Sequence, residues 1–229
     1  MNVFYEGDSA FLDALKYAVL AKELFLYDFG HIIGLCGHPF CLEQMRAVKD
    51  RPTRPFSGGG PLKPAFAGWG EKYPHLITRL VMKDVFVGTA FCRFRVRGIM
   101  RLFGSFWGMP KGICHNGMVQ IWDSGKSNQT QRAILSGLSS SGRYKHLLVT
   151  SANPKGVPAL YDNLEAISWA EKVRVKYAFL RHPEEKLTPH LSQQIVELTP
   201  EGVVIRRHGN RDISPQIFAY HVHVREELE

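Results

Sequence analysis

Two short segments, far apart in the chain, hold the residue types that bind anions. One is VTSANPKGVP, Val149–Pro158. Leu147-Leu148-Val149 reads as a buried strand, and Thr150, Ser151 and Asn153 crowd at its C-terminal end beside Gly156 and Pro158. In open α/β sheets ligands bind beyond the carboxyl ends of strands. Hydroxyls, an amide and backbone N–H groups placed there suit phosphate or carboxylate oxygens. A polar turn that caps its own backbone is the alternative. The other segment is VKDRPTRPF, Val48–Phe56. A proline holds the residue before it extended, so Lys49 and Arg51, two apart, are expected to point to the same side. An ammonium point charge beside a planar guanidinium fork makes an anion site. A solvated basic loop stiffened by proline is the alternative there.

Together these segments resemble the YrdC-like family, whose members make threonylcarbamoyl-adenylate for tRNA modification. The family carries K-x-R-P…P and, much later, T-S-A-N-x-S-G-x-P. This chain has KDRPTRP at Lys49–Pro55 and TSANPKGVP at Thr150–Pro158. YDFGHIIGL, Tyr27–Leu35, stands where the family has P-T-x-T-x-Y-G-L. PHLITRLVM, Pro74–Met82, resembles P-G-P-x-T followed by an apolar strand. SQQIVELTPEGVVIRRHGN, Ser192–Asn210, resembles S-T-V-V-D…I-L-R-x-G. These segments follow the family's order from about Leu15 to Asn210.

The departures fall on one half of the family's site. A threonine of its first motif helps bind the threonine substrate, and Phe29 and His31 stand at the two threonine positions here. His75 replaces the glycine of P-G-P-x-T, and Gln193-Gln194 replaces the small polar pair before V-V-D. Gln120 stands where a V-R-x-P segment would carry arginine, and Lys155 replaces the serine after TSAN. The anion-binding half is kept and the amino-acid half rebuilt, a pattern that argues against an ordinary tRNA-modification synthase.

The resemblance implies a single-domain α/β fold, a twisted mixed sheet flanked by helices. It also implies ATP-dependent formation of a carbamoyl- or acyl-adenylate on an amine or amino acid other than threonine. Bicarbonate and the amine would give a carbamate, whose oxygen attacks the α-phosphate and releases pyrophosphate. Such chemistry depends on positioning and charge neutralisation. On this reading Lys49 and Arg51 carry catalysis and bind phosphate and carboxylate oxygens. Ser151 and Asn153 hold the nucleotide or intermediate, and Arg207 contacts phosphate. His31, Thr78 and Thr150 line the substrate pocket. Magnesium is expected with ATP, although no acidic motif marks a place for it. A buried structural role for His31 stays open.

The competing expectation is a non-catalytic RNA or nucleotide binder. The net charge is +8 with a pI near 9.4, and arginines alternate in CRFRVRGIMR, Cys92–Arg101. As a strand this segment puts Arg93, Arg95 and Arg97 on one face, a stripe that attracts polyanions by counterion release. A solvated sheet face explains the same alternation. VVIRRHGNR, Val203–Arg211, is a second basic concentration.

The elements that must position these residues follow from patterning. Residues 10–22 suit a helix through Phe11, Leu15, Ala18 and Val19. Residues 42–48, 128–138 and 164–171 also read as helices. Residues 24–27 and 32–35 read as a strand and its continuation, and residues 76–83, 85–96, 117–122, 146–150, 194–198 and 202–207 read as strands, with a hairpin turn at Pro200-Glu201-Gly202. Ser57–Gly70, rich in Gly and Pro, reads as a long loop or flap. The main domain is expected over residues 1–213, followed by an extension over 214–229 with a last strand at 217–224. The aromatic, glycine-rich stretch Phe103–His115 has no family counterpart and reads either as a lid or as a packed hairpin.

Composition sets the remaining bounds. The hydrophobic content of 45% in 229 residues supports one sizeable core. No apolar run reaches the ~18 residues of a membrane span. The acidic start MNVFYEGDSAF does not read as a secretory signal, so a cytoplasmic protein is expected. Four cysteines are too scattered for a disulfide framework, and CGHPFC, Cys36–Cys41, lacks the paired C-x₂-C repeats of a zinc site.

Overall fold

Successive residues of a strand face opposite sides of its sheet, so a strand buried along its whole length must be covered on both faces. Leu24-Phe25-Leu26 and Ile33–Gly37 are such segments. The computed structural model describes residues 1–29, 32–53, 55–123, 129–139, 144–154, 156–184, 193–209 and 212–228. Its strands are β1 (Asn2–Tyr5), β2 (Leu24–Asp28), β3 (Ile33–Gly37), β4 (Ser57–Gly59), β5 (Ala90–Arg95), β6 (Cys114–His115), β7 (Met118–Trp122), β8 (Leu147–Ser151), β9 (Tyr177–Leu180), β10 (Gln194–Thr199), β11 (Gly202–Arg207) and β12 (Val224–Glu226). Its helices are α1 (Phe11–Leu20), α2 (Leu42–Lys49), α3 (Leu62–Trp69), α4 (His75–Met82), α5 (Gly98–Phe103), α6 (Gln129–Ser139), α7 (Asn163–Lys172) and α8 (Ser214–Phe218). All strands join one mixed sheet in the order β1-β9-β2-β3-β8-β4-β7-β5-β10-β11-β12, with β6 paired to β7. This is the single mixed α/β sheet with flanking helices that the sequence leads one to expect.

The two faces of the sheet carry different cores. Leu24, Leu26, Leu35, Leu148, Cys92, Ile121 and Val196 face the larger one, which also takes side chains from α2, α3, α4, α7 and α8. Phe25, Cys36, Leu147, Val149 and Phe179 face the smaller one, closed by Phe11, Leu15, Ala18 and Val19 of α1 and Leu138 of α6. α1 and α6 approach closely at Gly137, where a Cβ would lie 2.9 Å from the Lys16 carbonyl and the Val19 side chain. This helix pair therefore covers β9, β2, β3 and β8 but not the rest of its face. Over β7, β5 and β10 that face carries a separate cluster of Phe91, Trp122 and Ile195, with Phe29 packed against it.

Several segments differ from their patterning. Ser57–Gly70 is no flap: β4 leads into α3, whose Leu62, Ala65, Phe66 and Trp69 form a buried stripe at helical spacing. Pro61 caps that helix, and Pro64 sits in the first turn, where a missing N–H costs nothing. Residues 76–83 form helix α4 rather than a strand, because Ile77, Leu80 and Val81 bury one face. The strand expected over 85–96 begins only at Ala90, after a turn that includes Gly88 at φ +68°, and Val96 adds only a single bridge to Gly70. The strand expected at 217–224 is replaced by α8, with proline in its first turn, and by β12, which pairs parallel to β11. Ile217 and Val222 join the large core, so the expected extension packs on the same sheet. β1 and β9, a parallel pair, were not among the expected strands, and β2 and β3 are an antiparallel pair rather than one strand and its continuation. No helix among the described residues is long and apolar enough to cross a membrane.

Candidate functional site

The uncovered face forms a cleft of about 730 Å³. Strand alternation decides what lines it. Phe91 and Arg93 of β5, Met118, Gln120 and Trp122 of β7, and Ile195 and Glu197 of β10 all point into it. β8 supplies Val149, Thr150 and Ser151 from its C-terminal half, and β11 ends at Arg207 on the cleft edge. Arg51, from the loop after α2, closes another side. Three guanidiniums from separate elements, Arg51, Arg93 and Arg207, thus share one cavity with Ser151, whose side chain is turned to this face by strand alternation, and with the neighbouring Thr150 stretch of β8.

Lys49 and Arg51 do not act as the same-side pair. α2 runs through Lys49, and Asp50 turns left-handed at φ +46°, so the two side chains part. Lys49 is fully buried, and its Nζ donates to the carbonyl oxygens of Ser151 (2.8 Å) and Asn153 (2.5 Å) and to Asn153 Oδ1 (2.8 Å). Its ammonium also lies 5.6 Å from the centre of the Trp169 ring. Burial, then the charge of Arg51, pulls its pKa down to about 7, while three oxygen acceptors favour the charged form. Lys49 is not a cleft-lining residue. It holds the TSAN turn in shape from behind.

Asn153 serves the same purpose. It is buried, accepts from Lys49 and from Ser151 Oγ (2.5 Å), and donates through Nδ2 to the Val157 carbonyl. Asn153 is therefore a positioning residue, whereas Thr150 and Ser151 reach the cleft. Thr78 lies on α4, whose neighbouring Ile77 packs in the core on the opposite side of the sheet, and its hydroxyl donates to the Tyr73 carbonyl (3.4 Å). It is not a pocket residue. His31 falls outside the described residues.

The arginine stripe is divided. Arg93 enters the cleft, donates to Gln120 Oε1 (3.1 Å) and lies 4.0 Å from Glu197. Arg95 is exposed at the strand end. Arg97 lies beyond β5 and donates to the carbonyls of Gly70 (2.7 Å) and Ala67 (2.6 Å). Arg207 donates from Nε and Nη2 to the Gln193 carbonyl (3.2 and 3.0 Å). Ile113 and His115, at the end of the aromatic stretch, contribute to the cleft wall.

Sequence reasoning did not count the apolar wall or the amides as site residues. Phe29, Phe91, Trp122 and Ile195 make the wall, with Phe29 edge-on to Trp122 at 6.4 Å and Phe91 tilted against it at 5.3 Å. Gly34 leaves room for the Phe29 ring, since a Cβ there would strike Phe29 Cε2. Gln120 donates to Ser57 Oγ (2.7 Å). Gln193 lines the cleft, is only 5% exposed, and its buried Nε2 has no acceptor. The replacements of the family's threonine and small polar pair were the available signal for Phe29 and Gln193.

No group of three or more His, Cys, Asp or Glu side chains among the described residues could hold an ion. Glu197 is the one carboxylate among the described cleft residues, and Arg206 Nε holds it at 2.8 Å. The protein side chains described do not build a magnesium site.

No protein-family model matches the chain, and no curated protein matches it in sequence. Solved structures do. P. abyssi Sua5, complexed with L-threonine, is similar over 99% of this chain with a TM-score of 0.68 and 13% identity. This chain has the YrdC-like fold. E. coli YciO is similar over 93% of the chain (TM-score 0.64, 14% identity), and so is full-length HypF in a phosphate- and nucleotide-bound form, over 87% (TM-score 0.65, 12% identity). The chain spans 96% of YciO, 62% of Sua5 and 29% of HypF.

Proposed function

We propose that this YrdC-like protein joins an acid to ATP as an adenylate. The observation that carries the reading is the meeting of Arg51, Arg93 and Arg207 with Thr150 and Ser151 in one cleft. Guanidiniums fixed in a concave site neutralise phosphate oxygens where charge develops. Sua5 and HypF, which share the fold, have been solved with L-threonine and with phosphate and nucleotide. Here an amine other than threonine condenses with bicarbonate to a carbamate, with loss of water. A carboxylate or carbamate oxygen then attacks the α-phosphorus, the bond to the bridging oxygen of the β-phosphate breaks, and pyrophosphate leaves. The arginines hold the phosphates and the acid in line, and the step needs no covalent nucleophile from the protein. Magnesium enters as the counter-ion of the nucleotide, and no step is assigned to it.

Calorimetric titration with magnesium-ATP tests this reading. Wild type binds, and Arg51→Ala and Arg207→Ala each lose about tenfold or more in affinity, the scale of a charged hydrogen bond. Pyrophosphate release, screened over amines with bicarbonate and over simple carboxylic acids, follows. Absence of ATP binding by wild type sinks the proposal.

A further inference from the structure

We infer that the acid taken by this cleft carries a ring-sized apolar group, seated against the wall of Phe29, Phe91, Trp122 and Ile195. The inference rests on the adenylate reading and names the class of its second substrate.

Three observations meet here. The wall is continuous and apolar, and its members come from separate strands and one loop, so the sheet itself fixes it. Phe29 and Trp122 also border a small recess of about 30 Å³ behind the wall, lined in part by Ile134, Leu135 and Leu147. The rest of the cleft offers mainly donors. Beyond the three guanidiniums, Gln193 lines the cleft and its amide nitrogen is buried without an acceptor. A buried donor without a partner costs free energy that a ligand oxygen recovers. The ligand that satisfies both surfaces is rich in acceptors at one end and apolar at the other: a carboxylate or carbamate attached to an aromatic or bulky aliphatic body. Threonine has only a hydroxyl and one methyl to offer such a wall.

The adenine of ATP is the competing occupant of the wall. A base needs partners for the several donors and acceptors along its edge, and the side chains of Phe29, Phe91 and Ile195 supply none, so an apolar body matches them better. The cleft volume of about 730 Å³ lies within the ~300–1,000 Å³ of small-molecule sites.

The test is calorimetry with 3-phenylpropionate, L-phenylalanine and L-threonine, on the protein alone and with a non-hydrolysable ATP analogue, using wild type, Phe29→Thr and Phe91→Leu. Both variants lie at the wall, on different segments, and their folding is checked by thermal melting. The expected result is that at least one ring-bearing acid binds wild type about tenfold or more tightly than L-threonine. Both variants then lose about tenfold for the ring-bearing acid while affinity for the ATP analogue stays within about twofold. Equal or tighter binding of threonine overturns the inference, as does failure of both ring-bearing acids to bind. Loss of ATP affinity in the variants with the acid unaffected also overturns it, because the wall is then the adenine site. Failure of the adenylate reading looks different: ring-bearing acids bind, yet no pyrophosphate is released with any of them. Pyrophosphate release with small aliphatic acids alone would keep the adenylate reading and end this inference.

Discussion

A buried ammonium requires acceptors for its three N–H bonds, and the Lys49 side chain has three oxygens within 2.8 Å. Removing the ammonium takes this donor from the Ser151 and Asn153 carbonyls and leaves the Asn153 amide oxygen with the Ser151 hydroxyl. Lys49→Met is therefore expected to cost about 3 kcal/mol of stability, measured by denaturant unfolding. Its effect on ATP binding acts through the Ser151 and Thr150 positions, so it should exceed what the loss of one charge at the cleft rim would give. At this scale the types of the site residues were legible in the sequence and their division of labour was not. Lys49 and Arg51 look alike as neighbours in a basic segment. One helical turn and a left-handed Asp50 send one behind the TSAN turn and the other into the cleft.

Helix α3 shows how elements hold one another. Its cap residue, Pro61, provides no side-chain acceptor, and the Leu62 N–H is instead taken by Asp123 Oδ2 at 2.6 Å, just past the end of β7. The other oxygen, Oδ1, accepts from Gln131 of α6 at 3.3 Å. One carboxylate thus fastens a helix on each side of the sheet to the strand that floors the cleft. Asp123→Ala is expected to destabilise by about 1–2 kcal/mol and to speed amide exchange at Leu62 and Lys63. Asp123→Asn, which keeps one acceptor, should recover part of the loss. Neither the cap nor the helix it serves was readable from the Gly- and Pro-rich run at 57–70. The spacing of Leu62, Ala65, Phe66 and Trp69 carried the helical signal, and the flanking turn residues masked it. In α4 the β-branched run read as a strand, but a core wall asked for one buried stripe rather than two faces.

At the scale of the whole molecule, the pairing of α1 with α6 makes the cleft, because it covers one half of a sheet face and leaves the other half open. On the side of the sheet that α3 covers, His146 is 1% exposed, with Nε2 3.0 Å from the Pro61 carbonyl and its ring against Trp69. Burial pulls its pKa down to about 4. The unfolded histidine, with a pKa near 6.5, then binds more protons than the folded one between pH 6.5 and 4. Stability supplied by the neutral buried ring is present above pH 6.5 and is lost as pH falls through that window, by about 3 kcal/mol at pH 4. His38, also buried and also lowered to about 4, acts in the same direction. Thermal melting across pH 7 to 4 should show a steep decline for wild type and a shallower one for His146→Phe, which removes the proton site and keeps a ring.

Periodicity and turn chemistry by themselves determined the α/β class, the paired strands β10 and β11 with their hairpin turn, and helices α1, α2, α6 and α7. Those properties are local, because alternation and helical spacing follow from the backbone repeat of a few residues. Only the tertiary structure decided that Arg93 is a cleft residue, that Asn153 and Lys49 stand behind the site, and that Phe29, Phe91, Trp122 and Ile195 form one wall. Each of these depends on which strand lies beside which and on which face the helices leave uncovered. The free energy that settles such pairings comes from contacts between residues far apart in the chain, and no window of sequence contains both partners.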